Sequence, residues 1–159
     1  MDAMSPATFA PGSHRVFVYG TLKRGMWNNR ILREGNARFV GEVRTVREDF
    51  RMHLAEAGYP YLTTTSDGSG AAIDGELFEV NDGTLERLDE LEEIATGMYS
   101  RETLEVRFLA GASAQAYFYL AGPRIDVSAL ERIHAYDQAL HDERYLPKDR
   151  PRMDEVDRW

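Results

Sequence analysis

The chain has 159 residues, of which 43% are hydrophobic and 29% charged, a composition typical of one globular domain rather than of a disordered segment. Its formal net charge of −8 argues against binding to the phosphate backbone of nucleic acids and leaves small polar substrates open. The absence of cysteine excludes disulfides, thiolate metal ligands and a cysteine nucleophile.

The N-terminal residues and the hydropathy pattern predict the environment of the protein. No apolar run approaches the roughly 20 residues that a membrane span requires. Residues 1–14 are small and polar, lack the basic start and apolar stretch of a signal peptide, and predict a flexible arm. We therefore expect a cytoplasmic protein that binds neither membrane nor nucleic acid.

Segments that alternate between apolar and polar residues, or that are rich in aromatic and β-branched residues, predict strands along most of the chain. In chain order they are residues 15–19, 38–46, 50–54, 61–64, 72–80, 98–109 and 114–120. The last two are joined by a short AGAS sequence and predict a hairpin.

Three segments predict helices. Residues 26–35 form a short candidate that Gly35 stops, and a second helix begins near Thr84. Residues 128–141 open with Ser128 and Glu131 in the spacing of a capping box, which predicts a third helix.

The order of these elements predicts the fold class and the domain organisation. Strands dominate, and helices do not alternate with them regularly, which favours an α+β fold with a curled sheet or small barrel over a doubly wound sheet. We expect one domain over residues 15–123, followed by a C-terminal helix and charged tail over residues 124–159.

The sequence VFVYGTLKRG at residues 16–25 runs from a buried strand into a glycine turn. Gly20 and Gly25 have the spacing of a phosphate-binding loop, but Met26 and Trp27 follow where that motif requires Lys and Ser or Thr. A nucleotide site is therefore disfavoured, and the simplest interpretation is a strand end and a turn. Such a loop can still present backbone N–H groups to an anionic or carbonyl oxygen.

One acidic side chain of the second predicted helix is aimed towards the interior. Leu85, Leu88 and Leu91 form an apolar stripe, and Glu92 falls within roughly 40° of its centre. Asp89 lies at about 100° from it, and the other acids of the helix point outward.

An inward carboxylate loses hydration, so we expect its pKa to rise towards the range of a general base. The competing interpretation is that Glu92 bends back to solvent or pairs with a base such as Arg101. Both interpretations stay open on the helix geometry alone.

The remaining polar and aromatic residues give weaker signals. The four histidines are scattered and have no metal-ligand spacing, so we expect no metal site. Tyr61 follows Pro60 in a loop, and Tyr99 begins a strand directly after the helix that carries Glu92. These two tyrosines are the aromatic residues best placed to line a pocket.

Four motifs occur in a fixed order: YGTLKRG at residues 19–25, GELFEV at 75–80, LDELE at 88–92 and YSR at 99–101. With Asn28 and Leu32, this set resembles the gamma-glutamylcyclotransferase-like family, and most closely its gamma-glutamylamine cyclotransferase and small bacterial branch. The resemblance covers about residues 15–120.

The resemblance implies a small mixed β-barrel flanked by a few helices and an enzyme that acts on a small γ-glutamyl substrate. The α-amine of a γ-glutamyl amide would attack its own γ-carbonyl, releasing 5-oxoproline and a free amine. The essential carboxylate matches Glu92, the loop from Tyr19 through Gly20 and Thr21 to Leu22 would hold the glutamyl part, and Tyr99 matches a pocket tyrosine. The reaction needs neither metal nor cofactor. The alternative is a non-catalytic small-molecule-binding or regulatory module on the same fold.

Overall fold

A computed structural model describes residues 12–92, 94–122 and 124–146 of the chain. The strands of this part are β1 (Ser13–Val18), β2 (Arg38–Thr45), β3 (Phe50–Leu54), β4 (Pro60–Thr64), β5 (Asp74–Asn81), β6 (Tyr99–Phe108), β7 (Ser113–Ala121) and β8 (Glu131–Ile133). The helices are α1 (Asn29–Glu34), α2 (Asp82–Leu91) and α3 (Gln138–Arg144), with one 3-10 turn at Ile94–Thr96.

Five strands form a closed barrel in the order β1-β5-β2-β6-β7. The neighbours are antiparallel except where β1 meets β7, a parallel contact between Val16 and Tyr117 that closes the barrel. A separate sheet has the order β4-β3-β8. The predicted α+β fold with a small mixed barrel and a few helices is therefore confirmed.

Alternation along the barrel strands separates two cores, because successive side chains of a strand point to opposite faces. The first core contains side chains from all five barrel strands, among them Phe17, Val43, Leu77, Leu104 and Phe118. The second core packs the other face of β1 and β5 against α1 and α2. Full burial of a large apolar side chain contributes about 1.5–3 kcal/mol, so both faces stabilise the barrel.

Helix α2 fixes the position of Glu92. The Asn81 side chain caps the helix and accepts a hydrogen bond from the Thr84 N–H at 2.8 Å. Leu85 and Leu88 are buried and Leu91 is half-buried, so the predicted apolar stripe is confirmed. The helix ends with Glu92 as its C-cap residue, close to that stripe.

The N-terminal prediction needs one correction. Residues 1–11 of the predicted arm lie outside the described residues, but Ser13 and His14 belong to β1 and pair with Asn81 and Val80. His14 Nε2 also lies 2.6 Å from Asp82 Oδ1. Backbone pairing and this side-chain contact hold residues 13 and 14 in the barrel.

The predicted helix over residues 128–141 is wrong. The Ser128 N–H donates to Asp126 Oδ1 at 3.0 Å, so this segment begins with a turn and not with a capping box. Strand β8 follows and pairs with the edge of β3, which places Ile133 opposite Met52. Pairing with β3 satisfies backbone groups of both strands, and Ile133 packs against the first core.

The C-terminal helix begins nearly ten residues later than its predicted start near Ser128. Asp137 is its N-cap residue and accepts a hydrogen bond from the Leu140 N–H at 2.9 Å. Helix α3 therefore covers only the end of the predicted helix and part of the predicted charged tail. Residues 147–159 of that tail lie outside the described residues.

Candidate active site

A cavity of about 240 Å³ opens where the end of β1, the start of β4, the end of α2 and the residues after α3 meet. Aromatic side chains and the glycine turn supply most of its surface. Its walls are residues 17–22, 27, 28, 30, 59, 60, 91, 92, 98, 99, 119, 145 and 146.

The glycine at position 20 allows the loop after β1 to pass close to β4. A Cβ atom on Gly20 would lie 2.7 Å from Pro60 Cγ and 3.0 Å from Pro60 Cδ. These distances are shorter than ordinary carbon contacts, and the proline ring is stiff. Glycine is therefore required for this approach of the two segments.

Internal hydrogen bonds hold the loop in one shape. The Asn28 N–H donates to the Thr21 carbonyl at 3.0 Å, and Asn28 Nδ2 donates to Thr21 Oγ1 at 2.8 Å. Asn29 Nδ2 donates to the Leu22 carbonyl at 2.9 Å. The two asparagines thus occupy carbonyl and hydroxyl oxygens of the loop, and their bonds do not use the N–H groups of Thr21 and Leu22.

Thr21 and Leu22 line the cavity. Within the part of the chain that the structure describes, the backbone N–H groups of Thr21 and Leu22 have no hydrogen-bond acceptor in the protein. Leu22 is buried, and an unpaired buried donor is costly. A ligand oxygen at this position would supply the missing acceptor.

Three tyrosines surround Glu92. Burial raises the pKa values of the Tyr19 and Tyr99 hydroxyls well above their usual value, and the negative charge of Glu92 raises both further. Burial also raises the pKa of Tyr119, helped by its hydrogen bond to Asp89 and by the charges of Asp89 and Glu92. The three hydroxyls therefore stay protonated at neutral pH around the carboxylate.

Two of these hydroxyl protons have fixed acceptors. The Tyr19 O–H donates to the Tyr119 carbonyl at 2.5 Å, and the Tyr119 O–H donates to Asp89 Oδ1 at 2.8 Å. The other oxygen of Asp89 accepts from Arg101 Nη1 at 2.9 Å. Arg101 thus pairs with Asp89 and not with Glu92, the pairing that the sequence left open.

The structure brings most of the predicted site residues to one place. Tyr19 to Leu22, Glu92 and Tyr99 all line the cavity. Tyr61 lies one layer behind the wall, with its hydroxyl 3.2 Å from that of Tyr59 and its ring centre 5.7 Å from that of Tyr99. Tyr61 is thus outside the cavity lining, and its side chain contacts two tyrosines that belong to it.

A second wall comes from residues 136–146, which we call the C-terminal wall. Tyr145 and Leu146 line the cavity, and Tyr145 stacks on His141 with ring centres 5.0 Å apart. The Trp27 N–H donates to His141 Nε2 at 3.1 Å, and the Leu146 N–H donates to the Ala57 carbonyl at 2.7 Å. Sequence reasoning did not name Tyr145 or Leu146 as site residues, because no local motif marks residues that reach a site through contacts with distant loops.

Two further properties of the described residues bear on the kind of site. Among residues 12–92, 94–122 and 124–146, no group of three or more His, Asp or Glu side chains is placed to hold a metal ion. In the same part of the chain, none of the helices has the length and apolar character of a membrane span.

Comparison with known proteins gives three related findings. A gamma-glutamylaminecyclotransferase of Homo sapiens is 38% identical over 97 residues, which are 59% of this chain and 62% of that protein. A gamma-glutamylaminecyclotransferase of Mus musculus is 33% identical over 147 residues, 84% of this chain and 97% of that protein. The crystal structure of an AIG2-like protein from Mus musculus has a TM-score of 0.74 at 32% identity, covering 87% of this chain and 99% of the other.

The chain spans less than two thirds of the human relative's length. The family model described as gamma-glutamyl cyclotransferase, AIG2-like, matches residues 16–141. This range includes strand β8 and the first residues of the C-terminal wall, beyond the residues that carried the resemblance. The match confirms that resemblance: the chain belongs to the gamma-glutamyl cyclotransferase, AIG2-like family.

Proposed function

We propose that this protein is a gamma-glutamylcyclotransferase-type enzyme that cyclises a γ-glutamyl amide and releases 5-oxoproline and a free amine. The observation that carries the proposal is the position of Glu92, the only carboxylate among the described residues that line the cavity. The human and mouse relatives are named for activity on γ-glutamyl amines, so we propose that substrate class first.

One carboxylate is enough for the proton transfers of this reaction. The substrate's α-ammonium gives a proton to Glu92, and the free amine attacks the γ-carbonyl to form the five-membered ring. When the amide C–N bond breaks, Glu92 gives that proton to the departing nitrogen. The ring nitrogen loses a second proton as the lactam forms, and the released amine takes up this proton and leaves as an ammonium ion. A single general acid–base group therefore serves both nitrogens, and no proton is gained or lost overall.

The loop after β1 supplies the other part of the mechanism. We propose that residues 19–22 hold the glutamyl part, with the unpaired N–H groups of Thr21 and Leu22 donating to its oxygens. Donors of this kind also stabilise the oxyanion of a tetrahedral intermediate. Because the reaction is intramolecular, holding the substrate in a curled shape lowers the barrier without a metal or cofactor.

The surrounding tyrosines shape the site. Tyr99 lines the cavity next to Glu92, and we propose that it contacts the substrate. Tyr61 acts through Tyr99 and Tyr59, whose rings it contacts. Tyr19 contributes its ring to the wall, since its hydroxyl proton is held by the Tyr119 carbonyl.

The proposal is tested by measuring 5-oxoproline release from γ-glutamyl-lysine-type amides, γ-glutamyl amino acids and glutathione. We expect the wild-type protein to turn over at least one of these and Glu92→Gln to lose about 10²–10⁴-fold in kcat, the usual contribution of general acid–base catalysis. Glu90→Gln is the matched control, because Glu90 is exposed on the same helix.

Two outcomes would contradict the proposal. A Glu92→Gln protein with near wild-type turnover would remove Glu92 from its role. Saturable binding of γ-glutamyl amides by the wild-type protein, with no 5-oxoproline from any of them, would instead identify a non-catalytic binding module on this fold.

A further inference from the structure

Tyr119 lines the cavity, and hydrogen bonding fixes the polarity of its hydroxyl. A tyrosine hydroxyl has one proton to donate and two lone pairs that accept. The proton of Tyr119 is directed to Asp89 Oδ1 at 2.8 Å. Towards any other partner, the Tyr119 oxygen is therefore an acceptor only.

The acceptor for that proton is itself held in place. Asp89 Oδ2 accepts a hydrogen bond from Arg101 Nη1 at 2.9 Å, and an ionised carboxylate has no proton to donate. The guanidinium of Arg101 also lies 4.6 Å from the centre of the Tyr117 ring. Arg101 can only donate, and Asp89 accepts from both Arg101 and Tyr119. The direction of the hydrogen bonds among these three side chains is therefore fixed.

Two other groups of the cavity, Tyr19 and Glu92, have the same polarity. Tyr19 lines the cavity as well, and its proton is committed to the Tyr119 carbonyl. Glu92 adds a negative charge that acts on both tyrosine hydroxyls. A cavity corner made of a carboxylate and an acceptor oxygen is complementary to a cation that donates hydrogen bonds.

We propose that Tyr119 binds the α-ammonium group of the substrate together with Glu92, and that Asp89 is a positioning residue that keeps the Tyr119 oxygen an acceptor. This inference rests on the proposed function, because it assigns the ammonium of the γ-glutamyl group to one corner of the same cavity. An ammonium has three N–H donors, and after it gives one proton to Glu92 it keeps two. The hydrogen bond to Tyr119 then holds the amine while its new lone pair is free to attack the carbonyl.

If Asp89 acts in this way, replacing its carboxylate by an amide should change the direction of the Tyr119 hydroxyl proton. In Asp89→Asn, the amide oxygen is the group that can accept from the charged Arg101 guanidinium. The NH₂ group then faces Tyr119 and donates to its oxygen, so the Tyr119 proton turns towards the cavity. The variant keeps the shape of the side chain but replaces an acceptor by a donor where the ammonium binds.

Binding is measured with two probes that cannot cyclise. S-butyl-homocysteine keeps the α-ammonium and α-carboxylate but has no γ-carbonyl, and 4-(butylthio)butanoate is the same molecule without the ammonium. Their dissociation constants are measured by calorimetry with wild type, Tyr119→Phe, Asp89→Asn and the double variant. Tyr117→Phe is the matched control, because Tyr117 lies on the same strand outside the cavity lining.

We expect wild type to prefer the ammonium-bearing probe, and Tyr119→Phe to weaken its binding about tenfold, the usual size of a lost hydrogen bond to a charged group. The probe without the ammonium should bind wild type and Tyr119→Phe equally. Asp89→Asn should weaken binding of the ammonium-bearing probe when Tyr119 is present. It should not weaken that binding further in the Tyr119→Phe protein, because Asp89 acts through the Tyr119 hydroxyl.

Each other result overturns the inference. It fails if wild type shows no preference for the ammonium-bearing probe, if Tyr119→Phe weakens both probes equally, or if Asp89→Asn is as harmful without the Tyr119 hydroxyl as with it. Failure of the proposed function looks different, because it is a lack of 5-oxoproline release. A wild-type enzyme that turns over substrate but does not show this probe pattern contradicts only the assignment of Tyr119 and Asp89.

Discussion

The two walls of the cavity are built by different means. The wall opposite the C-terminal one, which we call the barrel wall, consists of Tyr19, Glu92, Tyr99 and Tyr119. Tyr99 and Tyr119 belong to strands of the closed barrel, Tyr19 directly follows β1, and Glu92 ends helix α2, which packs on the barrel. The C-terminal wall reaches the cavity through a few single hydrogen bonds to loops, such as those of His141 and Leu146.

The difference separates the groups proposed to transfer protons from the residues that close the cavity. The groups that would move protons need fixed geometry, since small displacements of reacting groups lower rates strongly. They lie in the barrel wall. The C-terminal wall closes the cavity, so changes there should alter binding before they alter the chemical step.

The largest expected structural effect comes from Gly20→Ala, because the loop at Gly20 contacts both walls. The new methyl group would lie 2.7 Å from Pro60 Cγ, so the loop or β4 must move. We expect a loss of about 1–3 kcal/mol in the free energy of unfolding, measured by urea denaturation, and lower turnover.

Gly83→Ala is the matched control, and its expected effect on the free energy of unfolding has the opposite sign. Gly83 lies in the first turn of α2, and the nearest atom to an added Cβ is Asn81 Oδ1 at 3.7 Å. Alanine in a helix stabilises by roughly 0.5–1 kcal/mol over glycine. Equal stabilities of the two variants would show that the approach of Gly20 to Pro60 does not constrain the loop.

An alkaline titration tests the buried tyrosines of the barrel wall. Tyrosines of the unfolded chain ionise near pH 10, whereas those of the folded protein ionise only at higher pH, because their pKa values are raised. The folded state is therefore fully stable below pH 10 and loses stability as the pH rises above it.

The expected slope is about 1.4 kcal/mol per pH unit for each such tyrosine. Tyr99→Phe should reduce the slope of the unfolding free energy against pH by one tyrosine's share. Tyr136 of the C-terminal wall also has a pKa raised by burial, so Tyr136→Phe should reduce it too. A stability that stays constant above pH 10 in the wild-type protein would contradict the burial of these hydroxyls.

The smallest effect is expected from loosening the C-terminal wall alone. The Tyr136 O–H donates to the Gly58 carbonyl at 2.6 Å, and Tyr136→Phe removes only this bond. We expect a loss of about 0.5–1.5 kcal/mol in stability, the usual contribution of one hydrogen bond.

The kinetic consequence of Tyr136→Phe sharpens the comparison of the two walls. We expect a higher KM with kcat close to wild type, measured with the best γ-glutamyl amide. A lower kcat with unchanged KM would mean that the C-terminal wall takes part in the chemical step.

Local sequence patterns predicted residues of the barrel wall but did not predict the residues of the C-terminal wall that line the cavity. Strand alternation, the cap of α2 and the stripe of Leu85 and Leu88 are properties of neighbouring residues, and they direct Glu92 to the cavity. The glycine at position 20 was visible for the same reason. Such features can be predicted because each depends on a few consecutive side chains.

Features that depend on distant pairing could not be predicted in this way. Strand β8 has three residues and forms because the edge of β3 is open to it, which no local pattern indicates. Tyr119 looks like one more aromatic residue of an alternating strand until Asp89, thirty positions away, is seen to hold its proton. Tyr61 does not line the cavity, and its ring contacts those of Tyr59 and Tyr99, an arrangement that depends on the pairing of distant segments.

The C-terminal wall follows the barrel strands in the chain and is therefore synthesised after them. The bond between Trp27 and His141 joins residues 114 positions apart, and Asn28 donates to the Tyr145 hydroxyl across 117. These residues follow the last barrel strand, which ends at Ala121, so during synthesis their contacts can form only after all barrel strands have been made. On the ribosome, the barrel wall can fold while the cavity is still open, so a nascent chain gains little stabilisation from ligand until residue 146 has emerged.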